Sequence, residues 1–170
     1  MKRLTSCLHV IDKISEWSGK IAGFGILLLI LIVTFEVVSR YVFRQPTIWV
    51  HETSAFLFGG IFLIGGAYAL LLKTHVNMDV FYQRFSIRTR ATLDVATSLL
   101  FFLFLGVLIW VGGSSAWNSI LKQELSNSHW APPIYPIKSA IPLGALLLIL
   151  QGLAKFVRDL ITAFRPDATI

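Results

Sequence analysis

The sequence predicts an all-α fold, an integral membrane bundle of four transmembrane helices with an N-terminal amphipathic interfacial helix. Of its 170 residues, 55% are hydrophobic and only 14% are charged, whereas soluble domains carry about 25% charged residues. The mean hydropathy is +0.72. Most charged residues are separated by four long apolar runs, and about twenty apolar residues suffice for a helix to cross a membrane.

The first nineteen residues have the pattern of an amphipathic helix. At 100° per residue, most charged side chains lie opposite one apolar stripe, which favours a position among the lipid head groups. Residues 2 and 3 are basic, as in a signal peptide, but the apolar run starts only at Ile21 and no small-residue cleavage site follows it. We therefore predict a retained span. The stripe consists of Leu4, Cys7, Leu8, Ile11 and Ile14.

We predict one membrane domain over residues 1–170. It starts with the interfacial helix at 1–19 and ends in a short C-terminal tail. The fourth uncharged block, 139–154, is short for a span unless apolar residues beyond Lys155 continue it. The predicted spans lie at about 20–41, 52–73, 93–120 and 138–160.

The distribution of basic residues predicts the orientation. An even number of spans places both termini on one side, and cytoplasmic segments carry the excess of Lys and Arg. With both termini cytoplasmic, four of the 15 basic residues lie outside, namely Arg40, Arg44, Lys122 and Lys138. The other eleven lie inside: Lys2, Arg3, Lys13, Lys20, Lys73, Arg84, Arg88, Arg90, Lys155, Arg158 and Arg165.

A charged segment follows the first span. Glu36 and Arg40 are four residues apart, in the favourable order for a helical ion pair. Pro46 limits the helix, Trp49 is typical of a membrane boundary, and Glu52 suits the start of the second helix. These residues are interpreted as a paired boundary cluster that fixes the turn. A proton- or ion-coupling carboxylate and a polar contact with another membrane protein are the alternatives.

Small residues predict where helices pack closely, because Gly and Ala let backbones approach where no hydrophobic effect drives association. The predicted helix-packing residues are Gly23, Ala55, Gly59, Gly66, Gly112 and Ala116.

The loop 122–138 contains three prolines and two aromatic residues. It is interpreted as a shaped external surface or as a rigid connector.

No catalytic residue, metal site or cofactor is predicted. The four histidines, His9, His51, His75 and His129, lie at or beyond the span ends, where they cannot ligate a haem between the helices. The single cysteine excludes an intrachain disulfide. The net charge of +6 is attributed to loop asymmetry, so no nucleic-acid partner is expected.

Several segments, in the right order, resemble a known family. They include EVVSRYVF at 36–43, AYALLLKTHVNMD at 67–79 and SHWAPPIYPIK at 128–138. The match runs from about Phe35 to Ala154, which is most of the chain. The chain resembles the small membrane subunit, of the DctQ or SiaQ type, of tripartite ATP-independent periplasmic (TRAP) transporters.

The resemblance implies a non-catalytic scaffold in the bacterial inner membrane. A periplasmic substrate-binding protein would capture a small organic acid, and a large membrane subunit of the DctM or SiaM type would import it with sodium ions by an elevator motion. The small subunit would bind the large one within the lipid bilayer. By motif, the structural or partner-interface residues would be Arg40, Trp49, Glu52, Tyr68, His75, Asp79, Trp130 and Lys138, with Glu36 beside them.

The alternative function is a self-sufficient, proton-coupled small exporter that acts as a dimer. Glu36 would then carry the proton. Its place near the membrane boundary and the adjacent Arg40 argue against that role.

Overall fold

The structure, a computed structural model, describes residues 2–72 and 87–164. Within these ranges the chain forms four helices and no strand, apart from one isolated bridge in a loop. All four are long and apolar enough to cross a membrane, so the predicted all-α bundle of four spans is confirmed. The helices are α1 Lys2–Tyr41, α2 Val50–Leu71, α3 Ile87–Leu121 and α4 Tyr135–Phe164.

The helices alternate in direction and give the bundle two distinct ends. We call the end that carries the α1–α2 turn (42–49) and the α3–α4 loop (122–134) the turn end. The opposite end holds the first residues of α1 and the last residues of α4, and we call it the terminal end. Hydrogen bonds from the α3–α4 loop to Glu52 lie at the turn end. A hydrogen bond from α1 to Gln151 of α4 lies towards the terminal end.

α1 contains both the predicted interfacial helix and the first predicted span in one uninterrupted helix of 40 residues, Lys2–Tyr41. The helix is about 60 Å long at 1.5 Å per residue, twice the hydrocarbon thickness of about 30 Å. The face that it buries carries Ser15 and Ser18 beside Leu8 of the predicted apolar stripe, whereas Ile14 of that stripe is exposed. The reason is that polar groups on this face find partners on α4. A headgroup location for residues 1–19 stays a prediction.

The four helices form an open row rather than a closed bundle. α1 packs along α2, α2 along α4, and α4 along α3. A shorter contact joins α1 to α4. The two outer helices of the row, α1 and α3, therefore expose broad apolar surfaces that include Phe24, Leu31, Leu99 and Trp110.

Small side chains fill the contacts between the helices. Five of the eight buried hydrophobic residues in the described part of the chain are alanines. At Gly144 of α4, an added Cβ would lie 2.6 Å from the carbonyl oxygen of Leu63 in α2. The backbones of α2 and α4 thus meet directly, as expected where packing rather than the hydrophobic effect holds helices together. The five alanines are Ala22, Ala67, Ala116, Ala145 and Ala154.

Candidate functional site

The carboxylate of Glu36 ties the end of α1 to the turn that follows. It accepts hydrogen bonds from Arg40 Nε at 3.0 Å and Nη2 at 2.6 Å. It also accepts hydrogen bonds from the backbone nitrogen of Thr47 at 3.2 Å and from the Thr47 hydroxyl. Charge-assisted bonds of this kind are stronger than neutral ones. The predicted i, i+4 pair is therefore present, and the same carboxylate fixes a residue eleven positions further on.

Two further contacts shape this turn. The Ser39 hydroxyl donates to the Gln45 carbonyl oxygen at 2.5 Å, next to Arg44, whose φ of 57° is left-handed. The indole ring of Trp49 stacks on Phe35 with a centroid distance of 6.1 Å. The turn thus folds back onto α1 and sets the direction in which α2 starts.

Glu52, in the first turn of α2, holds the loop between α3 and α4. Its carboxylate accepts hydrogen bonds from the Ser126 hydroxyl and, at 2.6 Å, from the Ser128 hydroxyl. The loop is closed on itself by two backbone bonds of 2.9 Å, Ser126 N to Pro132 O and Ile134 N to Glu124 O. The charged residues of the turn end therefore join α1, α2 and the loop into one rigid surface.

Glu124 and Lys138 close the base of the loop with a salt bridge of 2.5 Å. The Lys138 ammonium, followed by the Ser119 hydroxyl, holds the pKa of Glu124 below its ordinary value. Ser119 Oγ is buried and has no hydrogen-bond partner within the described residues. We therefore regard the Lys138 ammonium as the main cause of the lowered pKa of Glu124, since it is bonded directly to the carboxylate.

The salt bridge predicts an acid-sensitive loop. Because the pKa of Glu124 is lowered on folding, the bridge stabilises the loop fully above the ordinary glutamate pKa of about 4.3 and is lost as the pH falls through the lower, folded value. In a Cys7→Ser background with a fluorophore on Asn127→Cys, we expect anisotropy to fall on acidification below about pH 4. Glu124→Gln should reduce that transition, and Glu52, which also holds the loop through Ser126 and Ser128, accounts for what remains. Identical pH profiles for the two proteins would contradict this role of Glu124.

The other predicted site residues lie in different places. Trp130 is 41% exposed on the loop surface. Tyr68 is far from the turn end and packs on α1, where a Cβ at Gly19 would lie 2.3 Å from its ring. His75 and Asp79 lie outside the described residues, as does most of the predicted basic loop 73–90.

The predicted packing residues divide into two groups. Gly59, Gly66 and Gly112 face α4, and a Cβ at Gly112 would lie 2.7 Å from Ile141. Ala116 is buried. A Cβ added at Gly23 would have no neighbouring atom within 4 Å, and Ala55 is exposed, so neither is used for packing within the described chain.

Sequence reasoning missed a polar network at the terminal end. The Ser15 hydroxyl donates to Gln151 Oε1 at 2.8 Å, and both side chains are almost fully buried. Arg158 binds Asp12 at 2.6 Å, and Lys155 lies 3.4 Å from Asp94 of α3. A signal was available, because Gln151 stands alone among apolar residues in the fourth run and intramembrane polar groups usually have a partner.

The described residues at the two ends of the bundle form no evident reaction centre. Within residues 2–72 and 87–164, no group of three His, Cys, Asp or Glu side chains could hold a metal ion. Glu36 and Glu52 are both engaged by donors from the neighbouring turn or loop. What the arrangement provides is a rigid surface at each end and open apolar helix faces between them.

A family profile described as the DctQ component of tripartite ATP-independent periplasmic transporters matches residues 29–162. This chain belongs to the DctQ family. The match includes the last part of α1, all of α2 and α3, nearly all of α4, and the turn end with Glu36, Arg40 and Glu52. DctQ components are subunits of multi-pass inner-membrane transporters rather than enzymes, and they work with a large permease and a substrate-binding protein.

Two curated relatives support this assignment of the DctQ chain. The sialic acid TRAP transporter small permease protein SiaQ of Vibrio cholerae is 22% identical over 130 residues, which cover 75% of this chain and 72% of the relative. The sialic acid TRAP transporter permease protein SiaT of Haemophilus influenzae is 30% identical over 108 residues. That match covers 62% of this DctQ chain and only 17% of SiaT, which is a much longer protein.

Proposed function

We propose that this chain is the scaffold subunit of a sodium-coupled TRAP importer of small organic acids, and that it binds the large permease and the periplasmic substrate-binding protein. The observation that carries the proposal is the open row of helices, in which α3 packs mainly on α4 and leaves its other side uncovered. On that side Trp110 is 80% exposed. A membrane subunit with an uncovered helix face is suited to pack against another one.

The charged residues support a scaffold rather than a carrier. Glu36 is held by Arg40 and Thr47, and Glu52 by two serines of the loop. A substrate or proton site near the bilayer centre would need ionisable groups there, which are costly and are kept for function. The charged side chains of the described spans instead cluster near the two ends.

The long relative also supports a direct association with the large permease. In SiaT, the matched segment is 17% of one polypeptide, so it is covalently joined to a much larger permease chain. We infer that the separate chain here occupies the same position beside its own large subunit. A small organic acid is the proposed substrate class, because the relatives are named for sialic acid, which is an acidic sugar.

Co-purification tests the scaffold function. We expect the chain to co-purify with a large permease in mild detergent and to transport nothing in vesicles that contain this chain alone. Arg40→Ala and Trp49→Ala should lower the yield of the complex about two- to tenfold, since each removes a contact that orients α2; a loss of this size corresponds to roughly 0.4–1.4 kcal/mol. Substrate preference should not change. Solute accumulation by the isolated chain, or a switch of substrate in either variant, would contradict the proposal.

Labelling of Cys7 tests the orientation of the chain in the membrane. It is exposed at the terminal end, and both termini are proposed to be cytoplasmic because the terminal end carries most of the basic residues. A membrane-impermeant maleimide should therefore label Cys7 only in inverted or opened membranes. A cysteine introduced at exposed Asn127, in a Cys7→Ser background, should be labelled in intact spheroplasts. The reverse pattern would place the termini outside.

A further inference from the structure

An apolar groove runs along α1 near the terminal end. Its walls are formed by Ile14, Trp17 and Ile21 of α1, by Ile64 of α2 and by Leu147 of α4. Lys13 lines the groove as well, and the volume is about 400 Å³. The accessible wall is apolar throughout. None of these side chains lies at the turn end.

The groove runs from the level of the lipid head groups into the hydrocarbon. Lys13 follows Asp12, which pairs with Arg158, at the level where α1 and α4 carry charged side chains. Ile21 lies eight residues further along α1, or about 12 Å deeper. Trp17, between them, is 64% exposed, as expected of an aromatic residue at the membrane boundary.

The groove is open along one side and its wall is apolar. An extended hydrocarbon chain is slender and apolar, and fits a groove of this shape.

The charges around the groove favour an anionic head group. Lys13 lies in its lining, and Nζ of Lys20 lies 5.4 Å from the centre of the Trp17 ring that forms one wall. Neither nearby carboxylate contributes to the wall. Asp12 is bound by Arg158, and Glu16 lines a separate cleft between α1 and α2, to which Lys20 also contributes. Basic pockets between spanning helices are suited to acidic phospholipids, and lysine can reach the head group from its apolar stem.

We propose that this groove binds one anionic membrane phospholipid. An acyl chain lies between α1, α2 and α4, and the phosphate lies near Lys13. The bound lipid fills the groove between the three helices. This chain's own residues form the groove, so the proposal places the lipid in the subunit alone as well as in the complex.

Native mass spectrometry of the delipidated full-length chain, alone and with its large permease, tests the site. The protein is titrated with dioleoyl phosphatidylglycerol or dioleoyl phosphatidylcholine. We expect one phosphatidylglycerol to bind in preference to phosphatidylcholine. Lys13→Gln should weaken phosphatidylglycerol binding about fivefold, the effect of one lysine near an anionic surface. Lys13→Arg should retain it, and Lys122→Gln, at the turn end, should leave it unchanged.

A variant that fills the groove distinguishes lipid binding in the groove from general contact of the helices with lipid. Ile21→Trp places a large ring in the inner part of the groove and should abolish the preferential binding. Ile26→Trp, at an exposed position of α1 outside the groove, should not. Equal binding of the two lipids, or no effect of either groove variant, would overturn the proposal. So would a cross-link from Ile14→Cys to the large permease, because a protein segment would then fill the groove.

Discussion

Replacing Gly144 with alanine is expected to be among the most damaging single changes in this chain. The new Cβ would lie 2.6 Å from the carbonyl oxygen and 3.0 Å from the carbonyl carbon of Leu63. These are backbone atoms, which cannot rotate away as a side chain does. α2 and α4 must therefore move apart, and we expect a loss of about 1–3 kcal/mol, as for other overpacked contacts. The measurement is the thermal unfolding midpoint of the detergent-solubilised complex, followed by fluorescence-detected gel filtration.

Gly106→Ala is the matched control for this change. Gly106 lies within α3, and in the described part of the chain no atom outside the adjacent α3 backbone lies within 4 Å of its added Cβ. Alanine is a better helix former than glycine by up to about 1 kcal/mol, so the midpoint of this variant should stay the same or rise. If Gly144→Ala unfolded at the same temperature as Gly106→Ala, the close contact between α2 and α4 would be disproved.

Replacing Gln151 with leucine is the second change expected to have a large effect. Gln151 is 2% exposed and Ser15 is 1% exposed, and the serine hydroxyl donates to the amide oxygen. The amide nitrogen of Gln151 donates in turn to Asp12. Leucine would leave the buried hydroxyl without its acceptor and would remove a donor from the carboxylate. An unsatisfied buried polar group costs about 1–3 kcal/mol, and the same unfolding measurement on the complex should detect this loss.

Ser18→Ala provides the control for the Gln151 change. Ser18 is also buried, but its hydroxyl donates only to the Ser15 carbonyl on the same helix, at 2.7 Å. The loss of the Ser18 hydroxyl should therefore lower the free energy of unfolding much less than Gln151→Leu does. In a double-mutant cycle, Ser15→Ala and Gln151→Leu together should cost less than the sum of the single changes, by about 0.6–1.7 kcal/mol. Strict additivity would show that the two side chains do not interact.

The number and type of elements follow from composition because the membrane imposes a simple rule. Lipid offers no hydrogen bonds, so an apolar run of sufficient length must form a helix. Turn signals then set the boundaries, and Pro46 follows the end of α1 at Tyr41 closely. The continuity of α1 was not predicted. The amphipathic pattern of the first nineteen residues predicts an interfacial helix, whereas in the structure α1 runs through them and Asp12 is paired with α4.

The candidate site was predictable only where its contacts are local. The Glu36–Arg40 pair could be identified because four residues separate its members on one helix. The bonds from Ser126 and Ser128 to Glu52 span 74 and 76 residues. Many serines and threonines in the sequence could have filled that role, so composition does not select them. The same holds for the pairing of Ser15 with Gln151, which depends on the order of the helices in the row.

The unbroken length of α1 links the two surfaces of the membrane mechanically. One stiff rod carries Asp12, fastened to α4 at one end, and Glu36, fastened to the α1–α2 turn at the other. A hinge would need a proline, a glycine pair or a bulge, and the helix is continuous through Gly19, Gly23 and Gly25. Tilting this rod at one face of the bilayer must therefore displace the attached groups at the opposite face by a corresponding amount.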